Sequence, residues 1–165
     1  MAGPASEILS SSEDAASDRR NFFVTQIVFW LLAATDGHAK NFSIAHFPQN
    51  QYRSTPLYDV LSAHPIIGNG RNRLARQKAK LAMSVRSQDK HYHIEEIQQR
   101  HWIAQGARIG YPAAQVEEMI GQIALRTDAV IDQVSAVLPD DFPADVATKV
   151  FDGMRRFNKR LIATQ

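Results

Sequence analysis

The chain has 165 residues, enough to bury a sizeable core in one domain, and its 44% apolar and 22% charged content is that of an ordinary globular protein. It has no cysteine, which excludes disulfides, thiolate metal sites and cysteine nucleophiles and fits a reducing cytosol. A net charge of +2 is too small to imply a nucleic-acid partner by itself.

Residues 1–20 read as a polar leader without the basic start and apolar run of a secretory signal. Ser10-Ser11-Ser12-Glu13 has the spacing of a helix capping box, and a frayed, poorly ordered leader is the equal alternative. Residues 21–34 read as a helix that is apolar on nearly every side, broken by Thr25 and Gln26, and therefore surrounded by protein. Its apolar run is thirteen residues, short of the ~20 needed to cross a bilayer. A cytoplasmic location and no membrane partner are the expectation. Gly37 is expected to end this helix soon after Thr35-Asp36, by leaving the helical region cheaply.

Residues 41–47 and 52–57 are short β-prone runs separated by Pro48-Gln49-Asn50-Gln51, the chemistry of a hairpin. Folding the arms together would bring Lys40 and Asn41 opposite Tyr58 and Asp59, at the about 4.5–5.5 Å of an antiparallel pair. Residues 63–83 read as loop, with Gly68-Asn69-Gly70 and a basic run of Arg71, Arg73, Arg76, Lys78 and Lys80. From about His93 a helix is expected, with Ile94, Ile97, His101 and Ala104 on one face and its end near Gly110. Pro112 opens a longer one, whose stripe runs through Val116, Ile120, Ile123, Val130, Val134 and Val137 to Leu138-Pro139. A last helix follows Phe142-Pro143, with Val150, Met154, Phe157 and Leu161 in register. Trp30 and Trp102 fall in apolar helical runs and read as core. The expected class is mainly α (α+β): a helical lobe with one small hairpin carrying the site residues.

The densest polar chemistry is Asp36-Gly37-His38-Ala39-Lys40-Asn41. An aspartate, an asparagine five positions on and a second aspartate beyond a hairpin, Asp59, form the set that phosphoryl transfer to a hydroxyl asks for. The carboxylate of Asp36 orients the acceptor hydroxyl, while Asn41 and Asp59 suit magnesium, which prefers hard oxygens and keeps several waters. Lys40 offers a compact positive charge to the transferring phosphoryl group. The blander reading is that Asp36 and Asn41 satisfy loop backbone groups and Asp59 caps a turn. His38, His46 and His64 with Asp36 and Asp59 also suggest a transition-metal hydrolase, but no compact helical pair of histidines supports it.

The segment Leu31-Leu32-Ala33-Ala34-Thr35-Asp36-Gly37-His38-Ala39-Lys40-Asn41-Phe42-Ser43 resembles the catalytic loop of the HipA-type toxin kinases, the high-persistence serine/threonine kinases of bacteria. Thr55-Pro56-Leu57-Tyr58-Asp59-Val60-Leu61-Ser62-Ala63 is similar to the family's next motif. Lys80-Leu81-Ala82-Met83, Arg100-His101-Trp102 and Leu138-Pro139-Asp140-Asp141-Phe142-Pro143 follow in the family's order. The resemblance implies a kinase C-terminal lobe over residues 21–165, with Asp36 as catalytic aspartate, His38 and Lys40 inside the catalytic loop, and Lys40 near the γ-phosphate of ATP. Asn41 and Asp59 would be the Mg2+ ligands. It implies a protein substrate such as an aminoacyl-tRNA synthetase and neutralisation by a HipB-like helix-turn-helix antitoxin, with DNA approached only through that antitoxin.

The family's glycine-rich phosphate loop and nucleotide lysine have no counterpart in residues 1–20. A truncated gene product, a separately encoded half that meets its N-terminal lobe in trans, and an expressed fragment all fit. The isolated chain is accordingly expected to bind ATP weakly and to phosphorylate protein slowly, or to be a non-catalytic remnant that sequesters an antitoxin or partner lobe. The Arg71–Lys80 run and the cluster Arg155, Arg156, Lys159 and Arg160 read either as solvated faces or as contacts to DNA phosphates in an antitoxin–operator complex.

Overall fold

The computed structural model describes residues 4–163. Two short antiparallel hairpins lie among five helices, in the order α1 (Pro4–Leu9), α2 (Ala15–Leu31), β1 (Ile44–His46), β2 (Tyr52–Ser54), β3 (Lys80–Arg86), β4 (Lys90–His93), α3 (Gln99–Arg108), α4 (Ala113–Ser135) and α5 (Ala144–Leu161). The fold is α+β. No described helix is long and apolar enough to cross a membrane.

Helix α2 is the axis, as its all-round apolar sequence requires. Phe23, Ile27 and Trp30 are fully buried on it, packed with Trp102 of α3, Val116 of α4 and Phe157 of α5. The rings of Trp30 and Trp102 meet edge to face at 6.2 Å, and Trp30 donates its indole N–H to the Ile94 carbonyl at 2.8 Å. The helix begins earlier than expected, and no break falls at residue 20. Its N-cap is Asp14, which accepts from the Ser17 amide at 3.3 Å, rather than the anticipated Ser-Glu box. Ser12 instead donates to Asp18, whose carboxylate also accepts from the hydroxyl of Ser54 and, at 2.9 Å, from its amide. The expected poorly ordered leader is thus helical from Pro4 to Leu9, and the segment after it is stitched to β2. The Glu13 amide donates to the Tyr52 carbonyl at 3.0 Å, and Glu13 pairs with Arg53 at 2.9 Å.

The first hairpin forms as read, but shorter. Its register is Ile44↔Ser54, Ala45↔Arg53 and His46↔Tyr52. Gln49 and Asn50 both take left-handed φ, 63° and 59°, which lets the turn follow the twist of the strands. A second hairpin, β3–β4, occupies part of the expected loop. Val85 pairs with His91 and Arg86 with Lys90. Ile94 and Ile97 are buried as anticipated, but they lie in a turn and an extended link before α3. Three-residue apolar spacing marks a single tight turn as well as a helix, and here it belongs to the turn, so α3 starts only at Gln99.

The C-terminal arginines are spent inside the fold. Arg156 and Arg160 both pair with Glu95 at 2.8 Å, and Arg155 pairs with Asp128 at 3.0 Å. Arg156 and Arg160 hold α5 against the segment before α3, which disfavours the DNA-contact reading for them, while Arg155 ties α5 to α4 in a solvent-exposed pair. In the other basic run Arg73 donates to the Pro65 carbonyl, while Arg71, Arg76, Lys78 and Lys80 face solvent.

Two buried histidines make stability depend on pH. His64 is held below its ordinary 6.5 by burial and then by the charges of Arg156 and Arg76, against the Leu31 carbonyl and Glu95. His101 lies flat on His91 with ring centroids 3.8 Å apart, and burial, then the charges of His91 and Arg100, lower its pKa too. Unfolded histidine takes a proton near 6.5 while these stay neutral in the fold, so the unfolded state binds more protons below that pH. The melting temperature should be flat above about pH 7 and fall as pH drops from about 6.5 to about 5. A profile flat across that interval in thermal denaturation would contradict the burial described.

Candidate active site

The site begins at the C-terminus of α2. The Ala34 amide returns to the Phe29 carbonyl at 2.7 Å and the Ala33 amide to the Trp30 carbonyl at 3.0 Å, with Ala33 left-handed at φ 48°. That is a Schellman stop, with alanine where glycine is usual. Gly37 therefore does not end the helix, as the sequence suggested. Its task is close approach, since a Cβ there would lie 2.5 Å from the Phe29 ring.

The carbonyls at this helix end find their partners in the segment just beyond Asp59. His64 Nε2 bonds the Leu31 carbonyl at 2.8 Å, Ser62 donates to the Leu32 carbonyl at 2.7 Å, and the Ala63 amide donates to the Ala33 carbonyl at 3.2 Å. Phe157 stacks beside the His64 ring, and the ring lies where Gly153 of α5 has no side chain, 2.4 Å from an imagined Cβ.

From this anchor the chain turns through residues 34–41. The His38 amide bonds the Asp36 carbonyl at 2.9 Å, and a 3-10 turn, Ala39–Asn41, closes the loop. Asn41 is 2% exposed. Its Oδ1 accepts from the His38 amide at 3.1 Å, and its Nδ2 donates to the Asp59 carbonyl at 3.1 Å and to Asp59 Oδ2 at 3.3 Å. One carboxamide thus ties the loop to a residue eighteen positions on. Tyr58 adds a second tie, donating to the Lys40 carbonyl at 2.7 Å and meeting the Ser43 hydroxyl at 2.7 Å. The expected neighbourhood of Lys40 and Asn41 with Tyr58 and Asp59 is therefore present. It is made by side chains, because the strands pair only as far as Ile44 and Ser54. Asn41 and Asp59 flank the hairpin rather than lie on it.

Asp59 is solvent-facing and sits at φ 55°, a costly region for a residue that is not glycine. Asp36 is 77% exposed in its side chain, and its Oδ1 lies 3.9 Å from His38 Nε2. His38 Nδ1 is buried without a hydrogen-bond partner. The Lys40 side chain is exposed and has no carboxylate partner among the described residues. His46 is on β1 and His64 faces α2, so neither joins His38. No group of three or more histidines or acids placed to hold a metal occurs among the described residues. Asn41 and Asp59 bring one carboxamide and one carboxylate together, with Asp59 facing solvent. The carboxamide now turns Nδ2 to Asp59 and Oδ1 to the His38 amide, so its oxygen reaches a shared cation only once the amide rotates. That donor set fits magnesium, which completes its octahedron with water, better than a transition metal.

Beside the loop lies an apolar groove of about 780 Å³, walled by Leu9, Phe22 and Thr25 on one side and Phe42, Ile44 and Leu57 on the other. Asp18 holds its two walls together through Ser54. Ser12 and Ser54, with Arg53, keep that carboxyl below its ordinary range although burial pulls it upward. Sequence reading missed Asp18, Ser62 and His64 as positioning residues.

The model of the HipA-like C-terminal domain matches residues 4–131, more than half of the chain. The chain belongs to the HipA-like C-terminal domain family. A solved HipA toxin from Shewanella oneidensis MR-1, in a complex of HipA, HipB and operator DNA, shares its fold with a TM-score of 0.76 at 18% identity. The match covers 94% of this chain and 34% of that one, so this HipA-like domain spans about a third of that relative's length.

Two substitutions test how the domain holds its loop. Ser62→Ala leaves the Leu32 carbonyl without its donor and should lower stability by about 1–2 kcal/mol in urea unfolding. Gly37→Ala forces the Phe29 ring or the loop to move and should cost about 1–3 kcal/mol. An unchanged midpoint in either variant would show that these contacts do not hold the loop.

Proposed function

We propose that this domain is the C-terminal catalytic lobe of a serine/threonine kinase toxin, transferring the γ-phosphoryl group of ATP to a protein hydroxyl with Mg2+ as cofactor. The observation that carries the reading is the convergence of Asn41 on a left-handed Asp59, on the same anchor as the exposed Asp36. Strain of this kind persists where the surroundings over-determine it and clusters at functional sites.

In this reading the Asp36 carboxylate orients the acceptor hydroxyl and accepts its proton as the new O–P bond forms and the bond to the ADP oxygen breaks. His38, 3.9 Å away, steadies that carboxylate. Lys40 presents its ammonium to the γ-phosphoryl oxygens. Asn41 and Asp59 would hold magnesium, which supplies charge neutralisation to the phosphates when bound. The apolar groove beside Ala39 and Ser43 offers a surface for the base of the nucleotide.

The family and the Shewanella complex support a toxin–antitoxin setting, for which the cytoplasm is the proposed location. There a HipB-like helix-turn-helix antitoxin would bind the kinase and bring it to DNA, and a translation protein such as an aminoacyl-tRNA synthetase would be the acceptor. An N-terminal lobe is needed to cover the phosphates, so the chain alone should bind ATP weakly and transfer phosphate slowly. Titrating Mn2+ into labelled protein should broaden the Asn41 side-chain amide first, with Mg2+ reversing it and Asp59→Asn abolishing it. Broadening elsewhere, or none, would remove the metal assignment. Supplying an N-terminal lobe in trans, with Mg-ATP and a synthetase panel, should give phosphate incorporation that Asp36→Ala abolishes. Incorporation that survives Asp36→Ala would refute the catalytic role.

A further inference from the structure

Helix α4 outruns the fold that covers it. Its 23 residues span about 34 Å, whereas the two helices that pack on it are shorter, about 15 Å for the ten residues of α3 and about 27 Å for the 18 of α5. Val116, Ile120, Thr127 and Ile131 on its inner face are buried. Val130 and Val134 continue that face at helical spacing and Val137 follows just past the helix end, yet they are 38%, 40% and 77% exposed. Phe142, in the link to α5, is 40% exposed. An inward-pointing apolar stripe that α5 leaves partly open at its end is unusual, because isolated exposed apolar residues are normal and aligned ones are not.

The same region is strongly acidic. Residues 128–152 contain six aspartates and one lysine. Asp128 and Asp152 lie against Arg155, and Asp145 pairs with Lys149. Asp132, Asp140 and Asp141 have no cationic partner among the described residues. The family match ends at residue 131, so most of this tip lies beyond what the family model describes.

We infer that the tip of the α4–α5 hairpin is a docking surface for an amphipathic helix of a partner protein, with lysines or arginines flanking the apolar stripe of that helix. The length and spacing of the valine stripe match a helix laid along it, which reads its target at three- and four-residue intervals. The uncompensated aspartates select a basic rim and disfavour both an anionic lipid surface and a second copy of this chain, which would set like charges face to face. The surface is separate from the Asp36 loop and does not depend on the kinase reading.

The probe is a fluorescein-labelled peptide with leucines on one helical face and lysines elsewhere, titrated against the full chain by anisotropy. Two controls share the design: a scrambled peptide of the same composition, and a leucine–glutamate counterpart. The leucine–lysine helix should bind best, and raising the salt should weaken it. Val134→Asp and Val137→Asp should each weaken it about tenfold or more, with an unchanged melting temperature showing that the fold is intact. Asp140→Asn with Asp141→Asn should weaken it less but flatten its salt dependence. Equal binding of the scrambled peptide, or indifference to both valine variants, would overturn the proposal. So would a dimer in light scattering that Val137→Asp dissolves, since the occupant would then be a second copy.

Discussion

The geometry of the site depends on where the last carbonyls of α2 find their hydrogen bonds. A buried helix end leaves its final C=O groups without intrahelical partners, and each one left unpaired costs on the order of 1–3 kcal/mol. Here Ser62, Ala63 and His64 supply the partners for Leu32, Ala33 and Leu31. The loop with Asp36 departs from this helix end, and the segment that docks on it follows Asp59 directly. One rigid point therefore fixes both halves of the site. Gly153 and Phe157, packed against the His64 ring, bury this contact and keep water from competing for the Leu31 carbonyl.

A second anchor holds the return strand of the hairpin. Asp18, buried on α2, gathers Ser12 and Ser54, so the return strand is tied to the helix that carries the loop. The hairpin itself has only three paired positions, too few for independent stability. Its register is therefore held from outside, at its open end through Asp18 and the Asn41, Tyr58 and Lys40 contacts, and nearer its turn through Glu13, which meets Tyr52 and Arg53. That arrangement explains why Ala33 and Asp59, which frame the site, remain in left-handed backbone without being glycine. Ala33 is fully buried and completes the helix stop; Asp59 is exposed, and packing gives it no reason to adopt that conformation. Strain at an exposed acidic residue, held by a buried asparagine, is the structural mark of the site.

Charge is distributed unevenly along the molecule. From residue 60 to residue 88 there is no acidic side chain, while the α4–α5 tip is rich in aspartate. The arginines of α5 do not add to the exposed basic surface, since Arg156 and Arg160 are drawn inward to Glu95. A mild net charge therefore conceals two opposed surfaces, one beyond Asp59 and one at the helical tip.

The amino-acid sequence by itself determined the central helix, the first hairpin, the two tryptophans of the core and the nearness of Asn41 to Asp59. Each rests on local rules: all-round apolarity means burial, a Pro-Gln-Asn-Gln link means a turn, and equal arms bring their ends together. The second hairpin, the late start of α3 and the true stop of α2 were decided by tertiary structure. Ile94 and Ile97 carry helical spacing but are buried in a turn, because the Ile94 amide is claimed by the Ala79 carbonyl at 3.1 Å. Ala33 stops the helix because distant residues supply donors to its last carbonyls, and Gly37 is needed for the Phe29 ring beside it. No local pattern encodes those donors. Ser62 and His64 lie about thirty residues beyond the carbonyls they cap, and only the folded chain brings them within reach.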